Sequence, residues 1–454
     1  MGEGFRWRPV YQGEDPAGLM SVCDFVKGME SSMTDRIIEL LQEEGIENYL
    51  VMTQHMDSYE LFFIRKNIDM RRSEALDMTE VTVYREFDRE GTHCLGNASF
   101  HVEPSYDEQE IRAQIRKAYM AAQFVPNPYY ELAPAVCDKG HVSEGEDAKE
   151  LLGRVTQALF AQDCEKDVFL NSAEIFVEKI RTRVVNSRGV DVAFTKDMVQ
   201  GEFVAQCKSP QDVETYQDFA YDVFRPEALQ EVVRQTLQIT RDRAQANHAP
   251  KAGVYDVILS DQYAATLFDY YKERSSGSYV NMGYSDFRQG EDIQGEPVQG
   301  DRLNLSFVAT DPYSPEGLPM KDLPMVKDGV LQNLHAPCRF ASYLDVKATG
   351  MYQKISCDCG EMAFEQMRQK PGLYVVNFSD FQMDSLGGYF GGEIRLAYLN
   401  DGETITPVTG GSVNGSIMEA QKDFIFSREK QNSTTFEGPK AVLLHQIRVA
   451  GAQD

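Results

Sequence analysis

The residues able to do chemistry are few and scattered. Seven histidines (His55, His93, His101, His141, His248, His335 and His445) occur without the H-E-x-x-H or H-x-H spacing that sets two imidazoles on one metal. No G-x-S-x-G nucleophile elbow, P-loop or dinucleotide fingerprint is present. One set has the donor chemistry of tetrahedral zinc: His335 and Cys338 in HAPC, then Cys357 and Cys359 in CDC. Its spacing is looser than paired C-x-x-C knuckles, so four unconnected side chains, with thiols buried in a core, is the competing reading. Asp269 and Glu273, four apart on a helix, could present two carboxylates to a metal, but Lys272 and Arg274 alternate with them as on a solvated charged face. The glycine-rich GGYFGGE (387–393) runs into the strand pattern EIRLAYL and not into a helix whose N-terminus could hold phosphate, so it reads as a turn between strands.

The elements that would carry these residues follow from periodicity. Thr34–Glu44 has a capping threonine, the apolar face Ile37, Ile38, Leu40 and Leu41, and Gly45 as its stop, which predicts a helix. Strand-like runs follow at 48–53, 59–65 and 80–87, and a DREG turn (88–91) precedes THCLGNASFHV. A helix with Ile111, Ile115, Ala118, Tyr119 and Ala122 on one face completes a first α+β unit. Pro126, Pro128 and Pro134 make VPNPYYELAP (125–134) an extended linker. A helix near 147–162, the β-rich run 173–207 with its NSRG turn, and an amphipathic helix beginning at Pro226 form a second unit. After AQANHAPKAG the chain reads as mostly β, with helices at 261–274 and near 361–369. In the first of these, Ala264, Leu267, Phe268 and Tyr271 face inward. The expected fold class is therefore α+β: mixed α/β N-terminal units, then a large, mostly antiparallel β C-terminal domain. The expected divisions are an N-terminal extension at 1–32, units at 33–124 and 135–246, and a β-rich domain at 251–454.

Composition removes whole classes of function. With 45 Lys+Arg against 71 Asp+Glu in 454 residues, the net charge of −26 opposes binding to nucleic acid or an anionic membrane, both of which need clustered cations. No run approaches the roughly 20 apolar residues that span a bilayer. The acidic N-terminus, broken by Pro and Gly, lacks the basic-then-apolar form of a signal peptide. Eight thinly spread cysteines read as reduced thiols, so a cytoplasmic location is expected.

The C-terminal half carries a specific resemblance. GVYDVILSDQYAATLFDYY (253–271), LPMVKDGVLQNL (323–334), KATG (347–350), GLYVVNF (372–378), ITPVTGGSVNG (405–415) and AVLLHQIRVAG (441–451) occur in an order that resembles the TldD/PmbA (TldD/TldE) family. Members of that family have carried the label "modulator of DNA gyrase". In the N-terminal half KAYMAAQ (117–123) and VVNSRGVDV (184–192) fit as well, so the likeness runs from about residue 33 to 451.

The resemblance implies a cytosolic peptidase system of two related subunits that trims unfolded or modified peptides. In it the TldD-type subunit holds zinc through a helical H-E-x-x-x-H and a C-terminal cysteine, and the PmbA/TldE-type subunit lacks these ligands and pairs with it. Aligned through LSDQYAATLFDYYKER, the first histidine falls on Asp269, the glutamate on Tyr270 and the second histidine on Arg274, while NSTTFEGPKAV (432–442) has no cysteine. A phenol with an ordinary pKa of about 10 is no base at neutral pH, and a guanidinium is a permanent cation. The expectation is a PmbA/TldE-like, non-catalytic subunit without a metal or cofactor of its own, zinc belonging to a TldD-type partner. Its partners would be peptide or unfolded protein and either a TldD-type subunit or a second copy. Two alternatives stay open: a peptidase with a relocated metal site, and direct action on DNA gyrase, which the charge opposes. For peptide, the glycine-flanked strands around Gly372, Leu373 and Tyr374 and around Gly387, Gly388, Gly391 and Gly392 are the expected edges, set against the reading that both are interior strands and turns.

Overall fold

The computed structural model describes residues 22–452 apart from 144, with side chains from Met33 onward. The expected extension at 1–32 therefore lies outside the described side chains, and only its backbone from Val22 is described, as helix.

The N-terminal half is one sheet with helices on it. α1 (Val22–Glu43) leads into β1 (Asn48–Ile64), β2 (Asn67–Arg89), β3 (Thr92–His101) and α2 (Glu108–Ala122). β4 (Val136–His141), α3 (Ala148–Phe160), β5 (Val168–Asn186), β6 (Val190–Cys207), β7 (Val213–Tyr221) and α4 (Pro226–Gln245) follow. The strand order is β3-β2-β1-β5-β6-β4, with β7 also on β6. β1 pairs with β5 from Leu50↔Asn186 to Ile64↔Ser172, so the units expected at 33–124 and 135–246 share a single sheet and the proline-rich stretch between them separates no domains. Odd-numbered strand residues bury against helices: Tyr49, Val51, Val81 and Val83 under α1 and α2, Ile175, Val177, Val199 and Phe203 under α3 and α4. α2 is fixed at its start by a capping box, Asp107 accepting from Gln109 and Glu110 while Glu110 accepts from the Asp107 N–H.

The C-terminal half is built on two sheets with a helix buried between them. Its elements are β8 (Gly253–Ser260), α5 (Gln262–Arg274), α6 (Gly277–Asn281), β9 (Leu305–Val308), β10 (Leu323–Lys327), β11 (Val330–Leu331), α7 (Cys338–Leu344), β12 (Lys354–Cys357) and α8 (Phe364–Arg368). Then come β13 (Gly372–Asp384), β14 (Tyr389–Asn400), β15 (Ile405–Val408), β16 (Ser412–Ser416), α9 (Ile417–Ala420), β17 (Ile425–Phe426), β18 (Lys430–Asn432), β19 (Phe436–Pro439) and β20 (Ala441–Ala450). One sheet runs β11-β10-β9-β12-β19-β18. The other, β13-β8-β20-β16-β14, closes on itself through β13–β14, with β15 beside β14 and β17 beside β20. This closed ring refines the expectation of an antiparallel domain, because β13 and β8 meet in parallel. α5 is apolar on more than one side, and Ala264, Leu267, Phe268, Tyr270 and Tyr271 are all buried in the core shared by both sheets. No helix among the described residues is long and apolar enough to cross a membrane.

Candidate functional site

The turn from β8 into α5 is strained. Asp261 has φ 52° and ψ −126°, a conformation that costs a non-glycine residue on the order of 1–3 kcal/mol and persists only when its surroundings hold it. They do: the Asp261 N–H donates to the Lys440 carbonyl at 2.8 Å, Gln431 Nε2 donates to the Asp261 carbonyl at 3.0 Å, and Ser260 Oγ donates to its carboxylate at 2.9 Å. Lys440 Nζ also sits 3.3 Å from that carboxylate.

This turn opens on a cavity of about 790 Å³ between the two halves of the molecule. One wall is the β7 segment 217–221 with α4; the other is the first part of α5 and the segment 431–435. Among the described residues β7 pairs with β6 alone, so a strand edge borders the cavity. Gln217 Nε2 spans to Gln262 Oε1 at 3.4 Å. Amide and hydroxyl side chains dominate the lining, with Asp218, Asp261 and Asp269 set against Arg234, Arg368 and Lys440; no histidine or cysteine is among them. Tyr374 meets Ser260 Oγ at 3.0 Å, and burial pushes its phenol up to about 12. The Tyr398 hydroxyl donates to Asp242 across the two halves, and burial together with that carboxylate raises it well above the ordinary phenol range. Both phenols are therefore protonated donors at neutral pH, unable to act as bases.

The three slots aligned with a metallopeptidase helix do not converge. Asp269 reaches the cavity, where 432–435 also lie, so the helix and the C-terminal stretch singled out in the sequence do meet. Asp269 is held by Lys272 Nζ at 2.7 Å. Tyr270 turns into the core, its hydroxyl donating to Met418 Sδ at 2.8 Å, and burial raises its pKa further. Arg274 is a clamp: it pairs with Asp286, donates to the carbonyls of Tyr284 (3.1 Å) and Leu386 (3.4 Å), and lies 5.5 Å and 5.2 Å from the Tyr270 and Phe287 ring centres. A phenol facing a thioether and a paired guanidinium do not fit zinc, whose ligands are neutral imidazoles, thiolates and carboxylates.

The other expected candidates are placed elsewhere. His335 is buried with both nitrogens in use: Nε2–H donates to the Lys272 carbonyl at 2.9 Å, and Nδ1 accepts from Tyr352 N–H at 3.1 Å. Burial lowers its pKa to about 4, so the ring is neutral and structural. Cys338 packs in a cluster against the N-terminal sheet, Cys357 in the C-terminal core, and Cys359 is exposed. Burial raises all three thiols, and among the described residues no group of three potential metal ligands forms. The four-residue set of the sequence reading is thus not brought together.

The glycine-flanked strands are interior. Leu373 and Tyr374 are paired with β8 on one side and β14 on the other, and Gly372 also pairs into β14. Gly391 and Gly392 are paired with both β13 and β16. Gly387 and Gly388 form the hairpin turn. The close backbone approach inferred from these glycines is real, since a Cβ on Gly392 would lie 2.2 Å from the Asp380 carbonyl oxygen and one on Gly391 2.7 Å from that of Val413. The chain's own strands occupy it, so the expected edges are corrected: these residues offer no free edge. The cavity beside Asp261 was not anticipated. Its signal in the sequence was the polar run QNSTT (431–435) between strand patterns, together with the abrupt passage from strand to helix at LSDQ.

Residues 252–451 match the family described as the PmbA/TldA metallopeptidase C-terminal domain. No match is found among curated proteins. Over the whole chain, the fold is similar to that of a protein from Thermotoga maritima named as a modulator of a DNA gyrase (TM-score 0.72, 15% identity, 92% of this chain and 99% of that one). It is similar also to TldE from Thermococcus kodakarensis (TM-score 0.71, 13% identity, 92% of this chain and 100% of that one). A Bacteroides thetaiotaomicron protein, again named as a modulator of DNA gyrase, gives a TM-score of 0.70 at 12% identity over 93% of this chain and 99% of that one. Such identities establish a shared fold and no more. Residues 252–451 belong to the PmbA/TldA metallopeptidase C-terminal domain family, and the chain as a whole has the fold of these proteins.

Proposed function

We propose that the chain is a PmbA/TldE-like, non-catalytic subunit of a peptide-processing metallopeptidase system, and that the cavity beside Asp261 receives an extended peptide. The observation that carries this reading is the α5 pair Tyr270 and Arg274, committed to the core and to a clamp at the positions where a TldD-type helix would need a base and an imidazole. Support for peptide comes from the β7 edge and the neutral amide and hydroxyl lining, which suit main-chain recognition with little dependence on sequence. Zinc, in this reading, is supplied by a TldD-type partner, and the gyrase label stays with the proteins that bear it. A net charge of −26 leaves direct contact with DNA without support.

The test is a peptidase assay on unfolded peptide with the pure chain, with a TldD-type protein, and with both, alongside metal analysis of each. The expected outcome is a metal-poor chain without activity alone. Binding of fluorescent peptide should weaken at least tenfold when Ala265→Trp fills the cavity. Chelator-sensitive hydrolysis by the chain alone overturns the non-catalytic reading, and unchanged peptide affinity in Ala265→Trp overturns the assignment of the cavity.

A further inference from the structure

A second, smaller cavity of about 290 Å³ lies where the N-terminal sheet meets the C-terminal half, and it shares no lining residue with the cavity beside Asp261. One wall is the sheet face turned away from α1 and α2. Even-numbered residues of β1 and β2 point there, since their odd-numbered neighbours Val51, Val81 and Val83 bury under the helices. The ladders set Leu50 opposite Thr82, Met52 opposite Glu80 and Tyr84 opposite Asn97, so β1, β2 and β3 each contribute side chains to this wall. Tyr130, Glu316 and, from α7, Arg339 close the cavity from the other side.

The charges in this cavity do not cancel one another. Glu80, Glu316 and Arg339 all line it, yet among the described residues none of the three belongs to an ion pair. Glu316 Oε2 accepts from the Cys338 N–H at 2.9 Å, which fixes that carboxylate. Arg339 has one long contact, Nη1 to Asn127 Oδ1 at 3.5 Å, and its guanidinium lies 4.4 Å from the Phe340 ring centre. Other polar groups here are occupied: Thr82 Oγ1 meets Ser99 Oγ at 2.8 Å, and Asn97 Oδ1 accepts from Asn127 Nδ2 at 2.9 Å. Two phenols are not. Tyr84 and Tyr130 are only 7% and 5% exposed and both line the cavity, but neither hydroxyl has a hydrogen-bond partner among the described residues. A buried hydroxyl left unpaired costs roughly 1–3 kcal/mol, so two in one cavity mark positions that a ligand can satisfy. Burial raises both phenols above their ordinary range, which keeps them protonated donors at neutral pH.

We propose that this cavity binds a free α-amino acid with an apolar side chain. The Arg339 guanidinium and the two phenol O–H groups suit its carboxylate, Glu80 and Glu316 suit its ammonium, and Leu50, Met52 and Phe340 give the side chain an apolar surface. Opposite charges held apart in one cavity are matched by a ligand that carries both, and an α-amino acid carries them on neighbouring atoms. A peptide end presents one of the two at its terminal residue and leaves either Arg339 or the carboxylates unmatched. Size agrees, because small-molecule sites begin at about 300 Å³, too little for an extended peptide. The proposal goes beyond the peptide reading and does not rest on it.

Isothermal titration of the full chain with L-leucine and L-methionine tests the proposal. N-acetyl-L-leucine lacks the ammonium, L-leucinamide lacks the carboxylate, and leucyl-leucine separates the two. The free amino acids should bind, and these three controls should bind at least tenfold more weakly. Arg339→Gln, Glu80→Gln and Tyr84→Phe should each lower leucine affinity at least tenfold. Glu80→Gln and Tyr84→Phe should leave the melting temperature of the unliganded chain unchanged, because neither group gives up a hydrogen bond or ion pair within the chain. Absence of binding by both amino acids at millimolar concentration overturns the proposal and leaves a cavity filled by water. So do controls that bind as tightly as leucine, which would reassign the site to peptide ends, and leucine binding that all three substitutions leave unchanged. Ala265→Trp should not alter leucine affinity, so this reading and the peptide reading fail separately.

Discussion

The two halves of the molecule handle strand edges in opposite ways. In the C-terminal half the five strands β8, β20, β16, β14 and β13 close a ring, so their ladders find partners within it, and α5 is locked between that ring and the second sheet. In the N-terminal half a single sheet carries its helices on one face and, among the described residues, ends in edge strands, of which β7 borders the cavity, while the distal part of β2 lies in solvent beyond the end of β3. A closed ring fixes positions and an open sheet offers contacts. The helix that would carry chemistry in a metallopeptidase lies against the closed ring, whereas strand edges remain on the N-terminal sheet and at the ends, β11 and β18, of the second C-terminal sheet.

Substitutions can break this contrast. The largest effect is expected in the closed half: Phe268→Ala removes a fully buried ring stacked on Phe436 at 4.7 Å and should cost about 3–5 kcal/mol in denaturant unfolding. Tyr270→Glu, which restores one residue of a zinc motif by type, should not create an active site. It buries a carboxylate where a phenol met Met418, and a loss of about 3 kcal/mol should be seen by thermal melting with no gain in bound zinc.

Next comes a pH effect confined to the same half. His335 is neutral in the fold with a pKa of about 4, against an ordinary 6.5 in the unfolded chain. Its contribution is complete above the unfolded value. As pH falls from about 6.5 towards 4 the unfolded chain takes up a proton that the native ring refuses, and stability drops by up to about 3 kcal/mol before levelling off. His335→Gln should flatten that part of the stability profile measured by urea titration at each pH. The smallest effect belongs to the open half: at concentrations where the chain is monomeric, Met70→Ala and Leu76→Ala on β2 should each stay within about 0.5 kcal/mol of the parent, because exposed side chains lose little on truncation. A large loss there would mean that the edge is covered within the monomer, and the contrast would fall.

Much of the element order was legible in the sequence because burial there is one-sided. α2, α3, α4 and α5 have apolar faces at helical spacing, and the starts of α3 and α4, at Asp147 and Pro226, are marked by residues whose chemistry favours a helix N-terminus. β1 was harder. Its polar middle, 54–58, made it look like two short strands, yet it is continuous from Asn48 to Ile64 because its two neighbours, β2 and β5, supply the ladder. The exposed stretch 67–79 had no alternation to betray a strand and is held by pairing to β1 alone. α1 starts twelve residues before the expected Thr34. Of the candidate site, Asp269 and 432–435 were identified on the right elements and do come together. That Tyr270 faces Met418, 148 residues away, or that Gly391 and Gly392 of β14 touch the carbonyls of Val413 and Asp380, depends on partners on other elements, so no local pattern records it.

The closed ring also constrains how the chain is made. β8, the first strand of the C-terminal half to be synthesised, needs β20 as one neighbour and β13 as the other, and β20 is contributed by residues 441–450. Until those residues have left the ribosome β8 has an apolar strand with an unfilled side, while the N-terminal sheet, complete by β7, has all its partners. Synthesis therefore presents an N-terminal sheet tethered to an unfinished ring, and a chain stopped short of residue 441 should be far more dependent on chaperones than one that includes β20.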